Sequence, residues 1–298
     1  DILYAIGISP DKLDQVGRLR ARGIDLKIIL DDVEAARAVV AWIDANRVTL
    51  PTLIEIDSDG HRAGVDANGT LLIDIGRLLA SRSALAGVMT HAGASYDCRS
   101  EAALREMAEI ERSATVLAAK RLRDAGLAVA IVSVGSTPTA LFARSAAGVT
   151  EVRAGVYMFF DLVMAGIGVC RPHEIALSVL ATVIGHRRDK GWLLVDAGWM
   201  ALSRDRGTAT QPFDMGYGAV CDINGRMLEG LIVAQTNQEH GIIADAGAPN
   251  ETPMLPIGSR LRILPNHACA TAAQHDRYHV VRGSALELVA QWSRFSGW

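Results

Sequence analysis

The alternation of short apolar runs with amphipathic helical stretches through the first half of the chain limits its fold more than any other feature. Strand-type runs ending in turn or polar residues lie at Asp1–Ala5 (DILYA), Asp25–Leu30 (DLKIIL), Thr52–Asp57 (TLIEID), Leu85–Thr90 (LAGVMT), Val129–Val134 (VAIVSV) and Glu151–Phe160 (EVRAGVYMFF). Helical patterns fill the gaps. The clearest runs from about Ser100 to Ala125, with Leu104, Met107, Ile110, Val116 and Leu117 roughly on one face. Another spans Asp32 to Asn46, with acidic residues in its first turn, where the helix dipole favours them. Strands that alternate with helices in this way pair in parallel through helical crossovers. Six such strands are visible, and a closed barrel of this type has about eight. Because the sequence opens directly on a strand, the expectation is a βα barrel whose first two strands precede residue 1. An open, six-stranded, doubly wound sheet accounts for the same count.

After about residue 165 the pattern changes. Long helical stretches stop, and β-type runs appear at Ala176–Ile184, Trp192–Val195, Leu231–Ala234, Arg260–Leu264 and His279–Val281, some separated by Gly-containing turns such as Asp222–Gly225. The expected organisation is two domains, residues 1–165 and 166–298, the second mainly antiparallel. With half of 298 residues hydrophobic, the chain can bury a core in each. A net charge of −3 spread along the chain excludes the basic block of a nucleic-acid binder. The apolar runs are too short to span a membrane as helices. The four cysteines, Cys98, Cys170, Cys221 and Cys269, show no close pairing, which fits a reduced, cytoplasmic protein.

Five segments carry candidate chemistry. In Leu264–Ala270 (LPNHACA), His267 and Cys269 are two apart after a strand-type run. On an extended chain such residues share a face, so an imidazole and a thiolate would converge as zinc ligands. A hydrogen-bonded histidine beside a buried cysteine gives the same pattern. In Glu55–Val65 (EIDSDGHRAGV), a strand ends in a turn carrying Arg62, placed either to hold an anion or phenolate oxygen or simply at the surface. In Val134–Thr139 (VGSTPT), Ser136 and Thr137 precede Pro138 at a helix start, as a phosphate cradle or an ordinary cap requires. Glu151–Tyr157 (EVRAGVY) contains a small-residue break at Ala154–Gly155, suited to a ligand's close approach or to a bulge. In Thr90–Tyr96 (THAGASY), His91 and Tyr96 flank a turn. Four of these polar breaks fall at strand C-termini, which a parallel barrel gathers on one rim.

Together with VDAGWMALSRDRG and NQEHG, these segments occur in the order found in the D-serine dehydratase and D-threonine aldolase group, and the chain resembles that group from DILYA to its terminal GW. The group belongs to the alanine-racemase-like (fold type III) pyridoxal-phosphate enzymes. The resemblance implies an eight-stranded βα barrel followed by a C-terminal β domain, with the six visible strands as its third to eighth. It implies a zinc pair at His267 and Cys269, Arg62 near the cofactor's 3′-hydroxyl, Tyr96 near the pyridine ring and His91 supporting the site. It also implies a phosphate cradle from Ser136 and Thr137 with the backbone of Gly155, Val156 and Tyr157. One departure stands out. The group's Schiff-base lysine lies on the first barrel strand, and none of Lys12, Lys27, Lys120 and Lys190 matches it, so it is expected upstream of Asp1.

The activity implied is a pyridoxal-phosphate- and zinc-dependent elimination of water from a 3-hydroxy-D-amino acid, such as D-serine or D-threo-3-hydroxyaspartate, giving an oxo acid and ammonia. The partner is a small molecule, and the group suggests a homodimer. An aldolase of the D-threonine type shares most motifs, but there the second metal ligand tends to be a carboxylate rather than a cysteine. A non-catalytic pyridoxal-phosphate-binding protein would resemble the barrel alone, and a racemase would need a second base that the sequence does not identify. Arg204, Arg206 and His240 are candidate cations for an extra substrate carboxylate.

Overall fold

A computed structural model describes residues 1–248, 252–283 and 286–295, so the terminal Gly297 and Trp298 lie outside the described residues. The chain divides into two compact units, Asp1–Gly155 and Val156–Trp298.

The first unit runs β1 (Ile2–Gly7), α1 (Leu13–Ala21), β2 (Leu26–Leu30), α2 (Val33–Asn46), β3 (Thr52–Asp57), β4 (Val65–Asp66), α3 (Thr70–Ala80), β5 (Leu85–Met89), α4 (Glu101–Asp124), β6 (Ile131–Val134), α5 (Thr137–Phe142) and β7 (Glu151–Val152). The strands pair in parallel in the order β1-β2-β3-β5-β6-β7, with the short β4 added to β3. These are the six expected strands. The central strands β2 and β3 read as near-continuous apolar runs because they are buried on both faces, whereas the edge strand β1 is largely exposed. Ile28, Leu30, Ile54, Ile56, Val88 and Val132 pack beneath the helices, while Ile29, Leu53 and Met89 bury on the opposite face.

Two expectations need correction here. The strand expected over Glu151–Phe160 stops at Val152, and a single turn at Val156–Met158 follows. The Arg153 amide still donates to the Val134 carbonyl at 2.8 Å, and its guanidinium turns to Ser133 Oγ (2.8 Å) and to the Thr90 carbonyl. On α4 the buried stripe is Leu104, Ala108, Glu111, Thr115, Ala118, Ala119 and Leu122, and the expected Ile110 and Leu117 are exposed. Three alanines and a threonine lie on that stripe between Leu104 and Leu122, so the larger apolar Ile110 and Leu117 do not mark it.

The second unit runs α6 (Leu162–Gly166), β8 (Val179–Arg187), β9 (Trp192–Val195), α7 (Trp199–Leu202), β10 (Ala219–Cys221), β11 (Met227–Thr236), β12 (Gly241–Asp245), β13 (Arg260–Leu264), α8 (Ala268–Ala272), β14 (Arg277–Val281) and β15 (Leu288–Ser293). Antiparallel pairing closes a barrel in the order β10-β11-β12-β9-β8-β13, and β14 and β15 form a separate ribbon. Alternate residues point inward, as in β8, where Val179, Ala181 and Val183 are buried and Leu180 is exposed. The Asp222–Gly225 turn joins β10 to β11 as a tight hairpin, with Gly225 at φ 85° and its amide donating to the Asp222 carbonyl at 3.0 Å.

Candidate active site

The C-terminal ends of β3, β5, β6 and β7 carry the polar breaks, and hydrogen bonds tie them into one rim. Asp57 closes its own turn by accepting the amides of Asp59 (3.1 Å) and Gly60 (2.7 Å). Asp59 then accepts the Ala94 amide at 2.8 Å, joining the loop after β3 to the turn after β5. Thr90 donates its hydroxyl to the Ile56 carbonyl at 2.7 Å. His91 places Nδ1 3.3 Å from the Gly135 carbonyl, and its ring centre lies 6.3 Å from that of Tyr96. Burial pushes the His91 imidazole below its usual range, with the Gly135 carbonyl opposing. At the head of α5, Ser136 Oγ lies 3.0 Å from Ser95 Oγ and accepts the Thr139 amide at 3.3 Å, while the Ser136 amide donates back to Thr139 Oγ1 at 3.0 Å. Ser136 and Thr137 are both buried. This reciprocal cap explains locally why a helix begins there.

Arg62 lies on the exposed side of the rim, with its guanidinium 3.8 Å from the Glu55 carboxylate. Burial raises the Glu55 carboxyl above the usual range, and Arg62 opposes that rise. Gly155 follows the end of β7, and the space where its side chain would begin is open. Val156, buried, and Tyr157, half exposed, start the second unit.

Two residues of this rim escaped sequence reasoning. Glu111, buried in the middle of α4, accepts the amides of Ala92 (3.0 Å) and Gly135 (3.1 Å) with one oxygen. Burial pushes its carboxyl upward, while bonds from Thr139, Ala92 and Gly135 pull it back. Arg153 spans β5, β6 and β7; burial lowers its pKa against the opposing charges of Glu111, Glu151 and Glu55. The signal for Glu111 was its spacing from Leu104, Ala108 and Thr115, which puts a carboxylate on the inward stripe.

The lysines lie elsewhere. Lys12 bonds Tyr4 Oη at 2.9 Å, Lys27 sits at the N-terminal end of β2 with Asp1 and Asp25, Lys120 pairs with Asp124 on α4, and Lys190 covers the Trp192 ring. None stands at the C-terminal end of a parallel strand. The hydroxyls, capped amides and open space at Gly155 suit a phosphate-bearing cofactor, but these residues offer no covalent anchor for one.

In the second unit, His267 and Cys269 are not on an extended strand. β13 ends at Leu264 before Pro265, His267 is the N-cap of α8 (φ −134°, ψ 109°), and Cys269 is in the first turn of that helix. The two side chains still approach one another, and the His267–Cys269 interaction helps raise the imidazole. The larger cause is Asp205, whose Oδ2 lies 2.7 Å from His267 Nδ1; together they lift the imidazole to about 10. The Asp205 carboxyl is held below its usual range by the same bond. Cys269 is exposed. Among the described residues no group of three His, Cys, Asp or Glu side chains is placed to hold a metal. An imidazole and a sulfur on the same first turn nevertheless supply the borderline-soft donor chemistry that zinc takes, with positions left for water and substrate. Arg204 lies over the Trp199 ring (4.3 Å), Arg206 over Tyr217 (4.9 Å) with Asp214 at 2.6 Å, and His240 is exposed.

Comparisons with known proteins agree with this architecture. Residues 1–163 match the family model described as "Alanine racemase, N-terminal domain", and residues 176–281 match "Putative serine dehydratase domain". D-threo-3-hydroxyaspartate dehydratase of Delftia sp. (strain HT23) is 54% identical over 100% of this chain and 79% of its own length. Its solved structure superposes with a TM-score of 0.96. Structures of the same protein exist for a cysteine-to-alanine variant in a metal-free form and for a histidine-to-alanine variant, the two positions being two residues apart in that protein. D-serine dehydratase of Dictyostelium discoideum is 32% identical over 94% of this chain and 74% of its own length. D-threonine aldolase from Filomicrobium marinum, 24% identical over 96% of this chain and 73% of its own, shares the fold with a TM-score of 0.78.

Proposed function

This chain belongs to the alanine-racemase-like family that carries a serine-dehydratase domain, and from that premise we propose that it eliminates water from a 3-hydroxy-D-amino acid to give an oxo acid and ammonia. Membership makes it a pyridoxal-phosphate lyase, and its named relatives support dehydratase activity. The finer reading is that zinc takes part and that the substrate is D-threo-3-hydroxyaspartate or D-serine. The observation that carries it is the His267–Cys269 pair, with the ring held by Asp205 and the sulfur beside it. The spacing equals that of the histidine and cysteine varied in the Delftia protein, whose cysteine variant is described as metal-free.

We assign cofactor binding to residues 1–165 and the metal pair to residues 166–298. Ser136 and Thr137, with backbone at Gly155, Val156 and Tyr157, would hold the phosphate. Arg62, His91 and Tyr96 would orient the ring. The cofactor, when bound, supplies an electron sink for the α-carbon's electrons after its proton leaves. No lysine at the rim serves as its anchor, so none of the four is assigned that role. Zinc on His267 and Cys269 would supply Lewis-acid assistance to departure of the β-hydroxyl, which is otherwise a poor leaving group. Among the described residues no helix is long and apolar enough to cross a membrane; a cytoplasmic homodimer completes the proposal.

The test is a product assay on the full chain supplied with pyridoxal phosphate and zinc. D-Serine and D-threo-3-hydroxyaspartate are offered in turn, before and after a chelator removes the metal. Oxo acid and ammonia, lost on chelation and restored by zinc, are expected. Glycine and an aldehyde in their place would mean Cα–Cβ cleavage, and elimination that survives chelation would refute the zinc role.

A further inference from the structure

The segment holding the metal pair is fixed by three separate polar anchors on three successive residues. Asn266, buried, accepts the Thr208 hydroxyl at 2.8 Å and donates to the carbonyls of Asp205 (3.2 Å) and Gly216 (2.5 Å). The Ala268 amide donates to Asp161 Oδ2 at 2.9 Å, and Asp161 Oδ1 accepts the Met164 amide at 2.9 Å. Between them, the His267 ring is held at Nδ1 by Asp205 Oδ2 at 2.7 Å, with the Cys269 sulfur as its other side-chain partner. Asp205 therefore grips this segment twice, at the ring through its carboxylate and at Asn266 through its carbonyl.

Asp205 is itself aimed. Its Oδ1 accepts the Gly207 amide at 2.7 Å, and its own amide donates to Ser203 Oγ at 3.2 Å. Ser203 stands at φ 80°, a left-handed conformation that a residue with a side chain adopts only when its surroundings impose it. The chain thus turns sharply just before Asp205 and points one carboxylate oxygen at the imidazole while the other is tied to backbone. A histidine whose Nδ1 donates to a carboxylate presents Nε2 as its lone-pair nitrogen, the arrangement in which second partners orient metal-bound imidazoles.

We infer that Asp205 is the positioning residue of the metal site, locking His267 with its Nδ1 proton on the carboxylate so that Nε2 faces the metal beside the Cys269 sulfur. The inference rests on the zinc reading above, and the experiment separates the two. The full chain is stripped of metal and titrated with zinc against a chromophoric chelator. D205A is expected to bind zinc about 10- to 100-fold more weakly than wild type, the usual effect of losing such a partner. D205N is expected to fall between them, because its amide oxygen still accepts the Nδ1 proton without the charge. Circular dichroism and the absorbance of bound pyridoxal phosphate should not change. A readout on the wild type guards against misfolding of the variants: the zinc-loaded protein should show a proton on His267 Nδ1 and none on Nε2 in long-range nitrogen–proton spectra. Zinc binding by wild type with D205A within about threefold of it, well short of the usual loss, overturns this inference alone, as does a proton on Nε2. A wild type that takes up no zinc overturns the metal reading and this inference with it.

Discussion

The Glu111 carboxylate accepts the Gly135 amide at 3.1 Å and, with the same oxygen, the amide of Ala92 at 3.0 Å. One side chain on α4 thereby holds the loop bearing His91 to the loop bearing Ser136. Replacing it removes the only acceptor described for two amides that lie in buried surroundings, at a cost on the order of 1–3 kcal/mol for each amide left without a partner. E111A should lower the urea midpoint accordingly and weaken pyridoxal phosphate binding. E111Q, which keeps an acceptor oxygen, should lose less of both. Equal stability of E111A and wild type would show that the clamp is not needed.

Gly135 has φ 130°, and a methyl group there would collide with the Arg153 carbonyl. G135A therefore combines backbone strain with displacement of the β7 end, and a loss of about 2 kcal/mol or more is expected. Gly23 also has positive φ (85°) but opens onto space. G23A serves as the comparison, with only the conformational penalty. Thermal melts of the two variants should separate strain from collision.

The metal-free protein should lose stability as pH rises. His267 in the folded state is raised from 6.5 to about 10, chiefly by its bond to Asp205. A raised base binds its proton in the folded chain after the unfolded chain has released it, so its contribution is complete below about pH 6.5 and fades toward pH 10. With the two side chains 38% and 30% exposed, solvent screens the size of the effect, so the direction is what chemical denaturation at stepped pH should read. H267N should flatten the curve across that interval.

Cys269 is exposed and packs into no core. C269A should change stability by no more than about 0.5 kcal/mol, the range for a surface position. Turnover should nevertheless disappear, with the absorbance of bound pyridoxal phosphate intact. Activity retained in C269A would remove the sulfur from the proposed site.

The parallel strands were legible as short apolar runs between helical stretches, and the antiparallel character of the second unit showed through β-type runs separated by Gly-containing turns; that these close a barrel did not show. β10, β12 and β15 escaped notice; β10 has only three residues, too short to show a period. Glu111 was hidden because an acid within a helix reads as solvated until the inward stripe through Leu104, Ala108 and Thr115 is known. His267 and Cys269 were singled out by residue type, but their conformation was misjudged. The strand before them ends at Leu264, and the five-residue α8 carries too little pattern to announce itself.

The order of strands and helices, the change of architecture between the two units and the residue types at the strand ends were all determined by the sequence, because each is written within a window of some ten residues. Which carboxylate meets which group was decided only by the tertiary structure. Asp205 lies 62 positions from His267, and Glu111 lies 24 from Gly135. Contacts at such separations are made when whole elements pack, and no local pattern of polarity records them.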